Sequence, residues 1–421
     1  MAAVAALPRK RCPRLLVGLV LLLAACSGAD SSATEEAPSE TAATSTASTV
    51  AEVEPEPEVG EAPQDQIGAD SWPTFRYDAQ RRAVVGEAGP ALDAPELLWQ
   101  FPTGGVVESS PAVVDGTVYA GTFDNNLFAI DAATGEERWA FGVGGLVRAS
   151  PAVVDGRVFF GADDNLFYAV DAESGAELWR FELGGGGEQS SPAVVDGIVY
   201  FGGFDQFVYA LDAETGNEIW RFETGGGILS SPLVVDGVVY IGSIDGVFYA
   251  LDATTGAEQW TVATANSIFS SGALIPAADG PEGRAAVAFG SDDGRVYAAD
   301  AETGEVRWTV QTNRSVFATP AVADGEVLVG SRDGAFRSIQ AASGEVLWAT
   351  DLTEVLSSAA VDAERIYVGS SDGTLHILDR ANGASITQLP VGDLVWTSPA
   401  VVDGHLFFGA HDGNIHAYRV G

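Results

Sequence analysis

Across 421 residues the chain sets 59 acidic side chains against 21 lysines and arginines, a formal charge of −38; a field of that sign opposes binding to nucleic acid or to anionic lipid headgroups. Fifty glycines in a chain that is 46% hydrophobic exclude a collagen-like or wholly disordered polymer and point to many tight turns around a large core. No internal apolar run is long enough to span a bilayer as a helix.

The first element is a targeting device. Arg9, Lys10, Arg11 and Arg14 precede the apolar run 15–25, which ends in Leu23-Ala24-Ala25-Cys26. A basic start, a short apolar stretch and small residues at its end predict that residues 1–25 are a signal peptide and that the protein is exported. The last four residues resemble a bacterial lipobox. That resemblance implies cleavage before Cys26 and lipid attachment to Cys26, with two or more acyl chains anchoring the protein stably. The other cysteine, Cys12, leaves with the signal, so the body must close without a disulfide. Residues 26–70 hold eleven acidic side chains, no basic one, and the run Glu54-Pro55-Glu56-Pro57-Glu58, which predicts a disordered tether. Ser27 directly after the cysteine suits an outer membrane, facing the periplasm; the outer face of a cytoplasmic membrane is the other setting. Residues 71–96 form a strap ahead of the first repeat.

From there the sequence repeats. Trp99, Trp139, Trp179, Trp220, Trp260, Trp308 and Trp348 recur at intervals of 40, 40, 41, 40, 48 and 40 residues. One unit runs from Ser109-Ser110-Pro111 through three turns: Asp115-Gly116, the hairpin before Leu127, and Thr134-Gly135. Glycine supplies the positive φ of tight turns, and short β-branched or aromatic runs between three such turns read as a four-stranded meander. Eight copies begin near residues 109, 149, 190, 230, 270, 318, 357 and 397. The eighth ends after three strands, and Leu97–Phe101 has the sequence of a missing fourth. Pairing the two closes a ring and hides both edges. The predicted fold is therefore an all-β, eight-bladed propeller over 97–421. The fifth unit is longer, with Leu274–Val287 in place of a two-residue hairpin, and the seventh puts Thr387 in the tryptophan slot, which predicts a weaker inter-blade contact.

The stretch Ala129-Ile130-Asp131-Ala132-Ala133-Thr134-Gly135-Glu136-Glu137-Arg138-Trp139 resembles the pyrroloquinoline-quinone-type (PQQ-like) propeller repeat, and it returns at 169–179, 210–220, 250–260 and 298–308. Trp72-Pro73, Arg76 and Asp78 resemble the segment preceding the first blade in that family. The family holds quinoprotein dehydrogenases and also the propeller lipoprotein of the outer-membrane β-barrel assembly machinery, a non-catalytic scaffold. The dehydrogenases place their quinone against a disulfide of adjacent cysteines and hold a calcium or lanthanide ion. No free thiol is left here after processing and lipidation of Cys26, so the resemblance implies a scaffold without catalytic residues, cofactor or metal, rather than a quinone (PQQ)-dependent dehydrogenase using Trp396 as a stacking platform. A cell-surface sensor of a small ligand is a third reading. Asp131, Asp171, Asp212, Asp252, Asp300 and Asp379 recur at one turn position and are expected to bond nearby amides. His376 and His416 fill a slot held elsewhere by Tyr or Phe, and His405 and His411 lie in hairpins, so none is expected to hold a metal.

Strand direction places the connector before each first strand and the hairpin between second and third strands on one face. The residues just before each Ser-Ser-Pro equivalent form a ring there: Glu108, Arg148, Gln189, Leu229, Phe269, Phe317, Leu356 and Trp396. Three are polar and five are large and apolar. Two readings follow. Either these side chains fold into the channel and plug it, or they line a funnel whose apolar arc receives a protein partner, such as an envelope assembly component. The expected assembly is a monomer.

Overall fold

Each repeat folds into one antiparallel meander whose strands we letter A to D from the axis outward. In blade 1 these are Ala112–Val114, Thr117–Gly121, Asn126–Asp131 and Glu137–Gly142. The computed structural model describes residues 71–76, 94–187 and 190–421, and it contains eight such four-stranded sheets, an eight-bladed β-propeller. Blade 8 joins both ends of the ring: Ala400–Val402, His405–Gly409 and Asn414–Arg419 supply A to C, and Glu96–Pro102 pairs with Asn414–Arg419 as strand D. The signal peptide, Cys26, the tether, most of the strap and Gln189 lie outside the described residues.

Local chemistry explains each piece. Asp115 and Gly116 have φ of 48° and 68°, the paired positive values that a two-residue hairpin turn needs to match strand twist. The pattern repeats at the other five Asp-Gly pairs of the A–B position. In blade 5 a short 3₁₀ turn, Pro281–Gly283, fills the longer A–B loop, which accounts for the 48-residue interval. Strands B and C lie between neighbouring blades and are buried along nearly their whole length. Strand D is the rim and alternates exposed with part-buried residues, as a half-solvated strand must.

Two contacts lock blade to blade. Six indoles from strand D reach the C–D turn of the next blade, where Trp99, Trp139, Trp179, Trp220, Trp260 and Trp308 donate Nε1–H to a backbone carbonyl at 2.7–3.1 Å. The turn glycine beneath each is required twice over. Gly175 has φ of 70°, and a Cβ there would stand 2.7 Å from the Trp139 ring. Nearer the axis, Val147 packs so tightly on Gly121 that a Cβ would lie 2.2 Å from its side chain.

The channel itself carries a second closure. The N–H of Ser110 donates to the Ser150 hydroxyl, Ser150 to Ser191, and so on through Ser231, Ser271, Thr319, Ser358 and Ser398, whose N–H returns to Ser110. All eight links measure 2.8–3.2 Å and all eight residues are buried. Below this hydroxyl ring the strap crosses the axis. Trp72 pairs with Val113 of blade 1, and the Pro73 carbonyl accepts from Val153 of blade 2. On the far side, the buried Arg76 guanidinium donates to the carbonyls of Thr319, Ala359 and Pro320 at 3.1, 3.0 and 2.7 Å. The channel is thus filled by the buried Trp72 and Arg76, and Arg76 stands more than 240 residues from its partners in blades 6 and 7.

Candidate funnel on the upper face

The face above the hydroxyl ring is built from D–A connectors and B–C hairpins. Hairpin amides hold the two together: Phe123 donates to Val106 O, Asp163 to Leu146 O, Arg332 to Ser315 O and His411 to Leu394 O, all at 2.9–3.0 Å. Connector glycines make that approach possible, since a Cβ on Gly145 would stand 2.4 Å from the Asp164 nitrogen. Each B–C hairpin carries at least one aspartate. In four blades it accepts the hydroxyl of a strand-C tyrosine, as Asp164 does from Tyr168 at 2.7 Å. In blade 6 Arg337 replaces the tyrosine; burial raises the Asp333 pKa, but Arg337 and the amides of Asn313 and Ala335 outweigh it and bring it to about 2.

The predicted ring assembles around the axis, with Gln189 outside the described residues. Glu108, Arg148, Leu229, Phe269, Phe317 and Leu356 are half-buried, and Trp396 is 38% exposed. Its polar side is a network: Arg148 pairs with Glu108 at 3.1 Å and with Asp163 at 3.0 Å, and its guanidinium lies 4.4 Å from the Phe123 ring centroid. Glu108 also faces His411 Nε2 at 3.3 Å, and the His411 ring tilts against Trp396 with centroids 4.8 Å apart. Its apolar side takes one residue from each of blades 4 to 8. Phe269 and Phe317 meet edge to face at 4.8 Å, and Arg332 sits over Phe317. The face's remaining arginines are paired too, Arg314 and Arg332 both against Glu354. Phe204 is 42% exposed on a hairpin farther out.

The repeated aspartates of the opposite face bond their own turns. Asp131 Oδ1 accepts from the Ala133 and Thr134 amides and the Thr134 hydroxyl, and hydrogen bonds from Arg138 and Thr134 hold it at about 2. Asp171, Asp212 and Asp252 are lowered by the same hydroxyl and amide bonds. His416 donates Nε2–H to Asp412 at 3.0 Å and accepts at Nδ1 from the Gln100 amide at 3.0 Å, and His376 meets the Ser370 hydroxyl; burial depresses the pKa of both imidazoles. Among the described residues no group of three or more His, Cys, Asp or Glu side chains is placed to hold a metal ion. Sequence reasoning missed Arg76 and Trp72 as the channel filling; the signal was an arginine in a chain poor in bases, close to a tryptophan outside the repeat.

A family model described as the β-propeller of the beta-alanine-activating enzyme matches residues 91–326. A second, described as outer membrane protein assembly factor BamB, matches residues 269–421. No curated protein matches the sequence. Among solved structures, a quinohemoprotein alcohol dehydrogenase from Comamonas testosteroni is similar at 16% identity with a TM-score of 0.73, covering 83% of this chain and 80% of its own. BamB from Moraxella catarrhalis is similar at 20% identity and a TM-score of 0.67, covering 77% and 98%. A europium-containing methanol dehydrogenase reaches 0.75 at 14% identity, covering 84% and 99%. At such identities these three establish the propeller fold and nothing finer.

Proposed function

Because this chain belongs to the PQQ-like β-propeller family, through its match to the propeller of the beta-alanine-activating enzyme, we propose that it is a non-catalytic interaction scaffold, exported and lipid-anchored through Cys26. Its contact surface is the apolar arc of the upper face. One observation carries this reading: Trp72 and Arg76 fill the channel below, while Leu229, Phe269, Phe317, Leu356 and Trp396 stay half-buried or exposed above. Side chains of that size left at a mouth are surface available to a partner. The resemblance to BamB supports an envelope setting, in which the tether holds the propeller off the membrane.

A quinone held by a cation does not fit the described ring. Its one carboxylate, Glu108, is already shared between Arg148 and His411. The test is a Leu229→Asp, Phe269→Asp double variant, with a photo-crosslinker placed at Leu356 in cells. The expected result is a discrete adduct on the parent, none on the double variant, and an unchanged Tm. Unfolding of the double variant would show that the arc is core. Palmitate labelling lost in Cys26→Ser checks the anchor.

A further inference from the structure

The arc has a chemistry as well as a shape. Every arginine side chain of the upper face lies against a carboxylate, and every hairpin around it carries an aspartate. The apolar arc is therefore fenced by negative charge with no unpaired cation inside the fence among the described residues. At one end stands Glu108 beside the exposed Trp396, joined through His411. Partway along the arc, two residues along the connector from Phe317 and between blades 5 and 6, opens a polar groove of about 270 Å³ lined by Asp292, Asp293, Gln311, Asn313 and Arg314. The Arg314 guanidinium there is taken by Glu354, and Arg295 at the groove's edge lies against Asp293 and Gln311, which leaves Asp292 as the carboxylate with no arginine on it. Asp292 in the groove and the exposed Trp396 face at the blade 8 end both favour cations, the second through the ring quadrupole. The span between them is aliphatic and aromatic.

Building on the scaffold reading, we propose that the occupant of this funnel is a polypeptide segment in which bulky apolar residues alternate with lysine or arginine. Its apolar side chains rest on Phe269, Phe317 and Leu356, and its cations lie in the Asp292 groove and over Trp396. The filled channel limits it to a shallow pose across the mouth rather than a threaded one. Acidity alone does not define this surface, because the opposite face is acidic as well. On the upper face the charge stands beside large apolar side chains from five successive blades.

The test uses the whole protein and three ten-residue peptides: lysine alternating with leucine and phenylalanine, lysine alternating with serine, and glutamate alternating with leucine and phenylalanine. Calorimetry on the parent should show binding of the first alone, the other two at least about tenfold weaker, and an affinity that falls as salt rises. Trp396→Ala and Asp292→Asn should each weaken the first peptide several-fold with no change in Tm. Equal binding of the lysine–serine peptide would overturn the proposal, since any polycation would then suffice. Equal binding of the glutamate peptide would overturn the charge preference and leave the scaffold reading standing. If no peptide binds and the Leu356 crosslinker still yields its adduct, only this proposal fails; if the adduct is also missing, both fail.

Discussion

At the junctions from blade 8 round to blade 6, an indole crosses to the next blade and hands its N–H to a turn carbonyl; the two junctions of blade 7 are made differently. Trp348 still packs on Gly383, but its buried Nε1 has no hydrogen-bond partner. Arg380 occupies the position whose carbonyl the other indoles use, and Thr350 donates its hydroxyl to Gly383 O at 2.6 Å instead. Between blades 7 and 8 Thr387 stands where the tryptophan would be, and the reason is topological. Strands C and D of blade 8 come from opposite ends of the ring, so no C–D turn joins them and an indole would have nothing to dock on. A buried ion network serves there: Arg365 pairs with Asp362 at 2.9 Å and donates to Val420 O at 2.6 Å, and Tyr367 donates to Asp362 at 2.8 Å. Thus the predicted weak contact is a substituted one. A closed ring can exchange an apolar clamp for a polar one where the chain path removes the clamp's socket.

The sharpest way to break that contrast is Asp362→Ala, which strands Arg365 as a buried charge and should cost about 3–5 kcal/mol. Asp131→Ala in a regular turn removes a pair whose side chains are 30% and 41% exposed, and should cost about 1 kcal/mol or less of ion-pair energy. Urea melts of the two variants measure the difference. Ser271→Ala comes next: it takes the acceptor from the buried Ser231 amide, at about 1–3 kcal/mol. Smaller still is a paired comparison of indoles. Trp220→Phe gives up the 2.8 Å bond to Ala253 O and should cost about 1 kcal/mol more than Trp348→Phe, which has no such bond to lose. Equal losses would show that the indole N–H contributes nothing at any junction.

The least effect at neutral pH is one that grows with acid. His376 and His416 have folded pKa values below 6.5 because of burial, so the stability they contribute is present above 6.5 and lost as pH falls through the folded values. Asp131, held at about 2 against 3.8, keeps its contribution until pH drops below 3.8 and loses it towards 2. Amide protection factors, which correct for the slower intrinsic exchange in acid, should therefore fall in blades 7 and 8 as pH drops below 6.5, before blade 1 responds. Simultaneous loosening of all blades would contradict this order.

The sequence made the repeat unit fully legible, because its turns are local: Asp115-Gly116 and Thr134-Gly135 state their own geometry. Ring closure was legible too, through the displaced strand around Trp99. The hydroxyl ring was visible only as the recurring Ser-Ser-Pro, since each acceptor lies about one repeat away and its identity depends on closure. Arg76 and the Asp362–Arg365 network were illegible for the same reason in stronger form. Their partners are non-repeating groups brought close only by the finished ring. On the upper face, the residues of the apolar arc could be read from strand direction, but the pairing of every arginine could not.

The strand Glu96–Pro102 lies more than three hundred residues from its partner, with Gln100 and His416 separated by 316 positions. A ribosome releases it first, and it must stay unpaired while seven blades are delivered. Loop closure over that distance is slow, and an unpaired strand is the segment most prone to wrong pairing. The last step of maturation is therefore a docking event between the two extremes of the propeller, and a handling factor that shields the early strand would set the yield of closed rings.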